Sequence, residues 1–127
     1  MTVSASLCIL MASGQDKKDS KKWDVGNPGG PYQDVSFSTS EGTWMNVDIS
    51  PDGKEIVFDL LGDIYTIPAS GGQATLLRGG HAFEVQPRYS PDGKKILFTS
   101  DAGGGDNIWV MNRDGSNAKQ VTKENFR

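Results

Sequence analysis

Ser50–Lys54 and Ser90–Lys94 both read SPDGK, 40 residues apart. The likeness continues outward from this pentapeptide. IVF at 56–58 matches ILF at 96–98 at the same spacing, and DIYTIPASGG at 63–72 corresponds to NIWVMNRDGS at 107–116 at a spacing of 44. QATLL at 73–77 then aligns with NAKQV at 117–121, and the four added residues fall in the glycine-rich stretch Asp101–Asp106. Proline presets its own φ and Asp-Gly favours tight turns, so each SPDGK is a turn between two strands.

Each repeat accommodates four short strands. Strand one is predicted at 44–49 and 84–89, strand two at 55–59 and 95–99, strand three at 63–67 and 107–111, and strand four at 74–77 and 118–121. No window sustains a 3.6-residue apolar period, which excludes a helical bundle or an α/β arrangement. A period near 40 with four strands per unit is the signature of an all-β β-propeller, here two four-stranded antiparallel meander blades of an incomplete ring. The blades are assigned to 42–81 and 82–124, with 125–127 opening the next connection. Strand three is apolar at nearly every position (Ile64, Tyr65 and Ile67; Ile108, Trp109, Val110 and Met111), as expected of a strand covered on both faces. Trp44 and Trp109 are expected to pack within or between blades.

Composition narrows the chemistry. Thirteen Lys and Arg against 16 Asp and Glu give a net charge of −3, without the basic surplus of a nucleic-acid-binding domain. One cysteine cannot close an internal disulfide, and one histidine cannot build a histidine-rich metal site. No Ser–His–Asp arrangement or carboxylate pair stands out, and the glycine runs at 26–30 and 103–105 lack a following Gly-Lys-Ser/Thr. No catalytic residue and no cofactor are assigned to this chain.

Residues 1–22 read as a leader-like or unstructured tail: an apolar, small-residue stretch holding Cys8, then the charged run GQDKKDSKK at 14–22. The apolar stretch is far shorter than the roughly 20 residues of a membrane span. Export to a periplasmic or extracellular location is expected if this segment is a leader, and a cytoplasmic one if it is only a tail. Residues 23–41 form a lead-in segment punctuated by Asn-Pro and Gly-Gly, with Trp23 as its anchor and a short outer strand expected at Val35–Ser38.

Meander connectivity places Leu60–Gly62, Gly79–His81 and the Asp101–Asp106 insertion at one end of the blades, where a propeller carries its irregular loops. His81, Asp101 and Asp106 are therefore candidate loop-face contacts, the two aspartates being conceivable cation ligands through carboxylate and backbone oxygens. Strand one should line a central channel with Asn46 and Asp48 matched by Gln86 and Arg88, while Met45, Val47 and Ile49 face away. Asp48 and Arg88 are the candidate channel contacts, by pairing across blades, touching a ligand or remaining solvated. Asp52 and Asp92 are expected to serve the amides of their own turns.

WDVGNPGGP at 23–31, EGTWMNVDISPDGKEIVFDLLGDIYTIPASGG at 41–72 and QPRYSPDGKKILFTSDAGGGDNIWVMNRDGSNAKQVT at 86–122 resemble a known family. Its members are large exported bacterial proteins that join an N-terminal TolB-like propeller to a C-terminal metal-dependent amidohydrolase barrel. Related propellers precede prolyl-peptidase-like and tricorn-like protease domains, and TolB itself uses its propeller for protein interaction. The resemblance implies a non-catalytic scaffold or access-controlling module. Its implied partners are further blades and a catalytic domain, and any divalent metal belongs to histidines, an aspartate and a modified lysine of that barrel, beyond the residues matched here. Two repeats, where four to eight blades are usual, also imply self-association of the chain on its own.

Overall fold

The computed structural model describes residues 24–124; the leader-like stretch with Cys8, Trp23 and residues 125–127 lie outside the described residues. Among the described residues every regular element is a strand: β1 Val47–Ile49, β2 Glu55–Leu60, β3 Asp63–Pro68, β4 Thr75–Arg78, β5 Glu84–Tyr89, β6 Lys95–Ser100, β7 Asn107–Asn112 and β8 Lys119–Gln120. They form two four-stranded antiparallel sheets in the orders β1-β2-β3-β4 and β5-β6-β7-β8, hereafter blades 1 and 2.

The SPDGK turns close the same way in both blades. Ser50 Oγ donates to Asp52 Oδ1 at 2.6 Å, and that oxygen also accepts from Lys54 N at 3.1 Å. Ser90, Asp92 and Lys94 repeat these bonds at 2.6 and 3.1 Å. Gly53 and Gly93 adopt φ of 70° and 68°, a left-handed geometry that a side chain would oppose. The hydroxyl and amide donors hold Asp52 down at about 2, and Asp92 is lowered by the corresponding pair. These carboxylates hold turns, as the sequence implies.

The core lies between the sheets. Val57 and Ile64 come from blade 1 and Ile96, Phe98 and Met111 from blade 2, all at most 1% exposed. Strand alternation and the register Val57↔Thr66 turn Glu55, Val57, Asp59, Ile64 and Thr66 toward blade 2. On the opposite side of blade 1, Val47 and Ile49 pair with Phe58 and Ile56 and are 58% and 55% exposed. The repeat makes the asymmetry quantitative: Val57 is 0% exposed, whereas Leu97, its equivalent 40 residues on, is 43% exposed on the outward side of blade 2. Equivalent side chains are dry where a neighbouring blade covers them and wet where none does.

Three expectations need correction. Trp44 is 99% exposed with φ of 59°. It precedes β1, which begins at Val47, and the Asn46 N that a longer strand would use donates to Asp59 Oδ1 at 2.9 Å. Trp109, by contrast, packs beside Phe98 with ring centroids 6.5 Å apart. The expected strand at Val35–Ser38 does not form; those residues are exposed and pair with no neighbour, and an alternating pattern without a ladder is not a strand. Strand three is fully covered only on its junction side, where Ile64 lies, while Tyr65 and Ile67 on the outward side are half-buried.

Candidate functional site

The irregular loops gather at one end. Leu61 and Gly62, with φ of 55° and 88°, make a two-residue turn between β2 and β3 of the type hairpins prefer. Gly62 O accepts from Glu84 N at 2.9 Å, Asp101 Oδ1 accepts from Phe83 N at 2.8 Å, and Asp63 Oδ1 accepts from Gly80 N at 3.3 Å. Asp101 thereby anchors the link between blades. Asp106 is exposed at the far side of its loop. Among the described residues no three His, Cys, Asp or Glu side chains converge as a metal set. His81 is exposed and meets the ring of Tyr32 edge-on, centroids 5.3 Å apart, so it holds the lead-in segment against the loop end.

Asp48 and Arg88 do not pair with one another. Each reaches the backbone of the other blade: Asp48 Oδ2 accepts from Tyr89 N at 2.8 Å, and Arg88 Nη1 donates to Val47 O at 3.0 Å. A register shift between Val85 and Arg88 brings this about. Gln86 takes φ of 58°, and Pro87, which has no N–H to give a ladder, sits in the bulge.

The densest polar chemistry lies at the junction, and sequence reasoning missed most of it. Asp59, 3% exposed, accepts from Asn46 N at 2.9 Å, Asn46 Nδ2 at 2.8 Å and Gln86 N at 2.7 Å. Toward the SPDGK end, Glu55 Oε1 accepts from the Tyr89 hydroxyl and from Arg113 Nε at 3.2 Å, and Arg113 Nη1 reaches Asp52 Oδ2 at 3.2 Å. Burial and the Glu55 carboxylate push the Tyr89 hydroxyl far above its usual range. Toward the loop end, Arg78 Nε pairs with buried Glu84 while its guanidinium lies 5.7 Å from the ring centroids of both Phe98 and Trp109. Burial raises the Glu84 carboxyl, and Arg78 partly offsets this.

Two signals were available in the sequence. Asp59 interrupts the apolar strand IVFDL, and Arg113 stands where the first repeat has Ala69. The acidic side chains Asp48, Asp52, Glu55, Asp59, Glu84 and Asp101 are all engaged by amides, hydroxyls or cations of the scaffold itself. Their chemistry is that of joining one blade to the next.

The TolB beta propeller domain profile matches residues 28–127. An uncharacterised protein of Agrobacterium fabrum is 38% identical over 77 residues, which are 58% of this chain and 26% of that protein. Tricorn protease homolog 1 of Streptomyces coelicolor is 32% identical over 57% of this chain and 7% of its own length. The Tol-Pal system protein TolB of Bordetella pertussis is 36% identical over 46% of this chain and 14% of its own. A solved structure assigned to TolB of Agrobacterium tumefaciens superposes with a TM-score of 0.61 at 31% identity, covering 67% of this chain and 32% of that one. The chain thus spans at most about a third of the relatives it matches.

Proposed function

The chain belongs to the TolB beta propeller domain family, and from that premise we propose that it is a non-catalytic scaffold. Its two blades sit within a larger propeller that flanks, and controls access to, a metal-dependent amidohydrolase domain outside this sequence. The observation that carries the scaffold reading is the opposite exposure of equivalent apolar positions, Val57 at the junction and Leu97 on the outward face. A surface that is core in one repeat and bare in the next is built to be covered. The amidohydrolase reading rests on the sequence resemblance over about residues 22–124, and an exported location is inferred from the same resemblance. No helix among the described residues is long and apolar enough to cross a membrane.

A second reading has its own support. The likeness to Tricorn protease homolog 1 and to TolB favours a propeller attached to a serine peptidase, or one that acts by protein interaction alone. One experiment separates the three. The native protein carrying these residues is isolated, and its amide-cleaving activity is followed with a chelator and with a fluorophosphonate that labels reactive serines. Activity lost to the chelator, with no serine labelled, is the expected result. Serine labelling would replace the amidohydrolase with a peptidase, and the absence of both would leave the interaction module.

A further inference from the structure

Arg78 and Glu84 bracket the link that joins the two blades. Arg78 ends β4, Glu84 opens β5, and their side chains pair with each other across Gly79–Phe83. The Glu84 side chain is 2% exposed. Its Oε1 accepts from Arg78 Nε and, at 3.4 Å, from Ser100 Oγ, whereas Oε2 is buried and has no hydrogen-bond partner among the described residues. The charged groups that face this carboxyl are the Arg78 guanidinium from β4 and the like charge of Asp63 from β3. From β6 it meets the neutral Ser100 hydroxyl, and on β7 the neutral Trp109 ring lies against the guanidinium. His81, the other titratable group of the link, is exposed and turned to Tyr32.

The repeat does not require this pair. Thr122 stands at the position of Arg78 and Trp44 at that of Glu84. Thr122 Oγ1 accepts from Ile108 N and donates to Asn107 Oδ1, both at 2.9 Å, so blade 2 holds its outgoing chain with neutral groups. A buried ion pair contributes little net stability, because desolvation offsets the attraction. An ionised Glu84 also leaves one carboxylate oxygen dry and unpaired, which is costly. A neutral Glu84 relieves that cost while Oε1 still accepts from Arg78 and Ser100.

We propose that Glu84 and Arg78 form a proton-controlled clasp on the link Gly79–Phe83, closed while the Glu84 carboxyl is protonated and released when Oε2 gives its proton to solvent. The link carries His81, which meets the lead-in segment, and Phe83, whose N–H donates to Asp101. Release therefore loosens the loop end, while the SPDGK end, with Asp52 and Asp92 held low, keeps its bonds. Burial lifts the Glu84 carboxyl above the ordinary glutamate value of 4.5. Closure is thus fully supported below that value and is lost as pH rises through the raised one. Both partners lie in one chain, so the clasp works whether or not the outward faces are covered.

Amide hydrogen exchange of the full chain, corrected for the intrinsic effect of pH, reads the clasp. Glu84 N donates to Gly62 O at 2.9 Å and Phe83 N to Asp101 Oδ1 at 2.8 Å, so both amides report closure. Ser50 N, bonded to Glu55 O at 2.8 Å, reports the SPDGK end. From about pH 5 to about pH 8, protection at Glu84 and Phe83 should fall severalfold while Ser50 is unchanged. Glu84→Gln, neutral at every pH, should keep high protection throughout. Asp63→Asn keeps an acceptor for Gly80 N, removes the facing like charge, and should move the loss to lower pH. The clasp is overturned by a flat wild-type profile, an equal loss at Ser50, or a midpoint that Asp63→Asn leaves unmoved. A pH dependence that survives Glu84→Gln would belong to His81 and overturn it too.

Discussion

Phe98→Ala is expected to leave the chain without a cooperative unfolding transition at room temperature, whereas Phe58→Ala keeps one. The two phenylalanines are repeat equivalents, each third in its IVF or ILF triplet. Phe98 is 1% exposed in the core between the blades, beneath the Arg78 guanidinium and beside Trp109. Truncating it removes a buried ring and opens a cavity, a loss of about 3–5 kcal/mol. That is a large part of the stability of any small domain. Phe58 stacks on Tyr65 on the outward face of blade 1, centroids 5.6 Å apart, and is half-buried. Its loss should cost about 1 kcal/mol, because much of its area is already wet. Urea unfolding followed by tryptophan fluorescence at submicromolar concentration reads both variants. Equal losses would mean that the repeat faces are not differently covered.

Asp59→Ala should be the most damaging polar substitution, at about 3 kcal/mol. The carboxylate accepts three hydrogen bonds, two from Asn46 in its own blade and one from Gln86 N in the next. Alanine leaves both backbone N–H groups without their acceptor, and hydrogen bonds to a charged group contribute about 1.5–3 kcal/mol each. Thr99→Ala, the equivalent change on the open side, is expected to cost a few tenths of a kcal/mol, because its hydroxyl makes one long contact at 3.4 Å to Gln86. Amide hydrogen exchange at Asn46 and Gln86 checks the mechanism: both amides should lose protection together in Asp59→Ala.

The meander was legible because its signals are local. Pro-Asp-Gly needs a particular turn wherever it stands, and alternation around it sets strand register to within a residue or two, so β2, β3, β6 and β7 were each anticipated with only their ends extended. What escaped depends on a neighbouring blade. Trp44 looks like a core residue by type, yet its equivalent in the second repeat is Glu84, which is buried and paired to Arg78. Val35–Ser38 has strand composition but no partner strand. Asp59 and Arg113 act across the junction, and a strand-by-strand reading assigns them no role. The loop end was anticipated as a place, but there Asp101 serves the Phe83 amide and His81 meets Tyr32 of the lead-in segment, a contact between residues 49 apart that no local pattern announces.

In the scaffold reading both outward faces form a surface built to be covered. Its most direct test is the solution mass and thermal melt of the 127-residue chain over a range of concentrations. Exposed apolar sheet, with Val47, Ile49 and Leu97 bare and strand edges open, predicts association that grows with concentration and a melt well below the upper range of ordinary domains. A strict monomer at every concentration, melting cooperatively above roughly 60 °C, would contradict it.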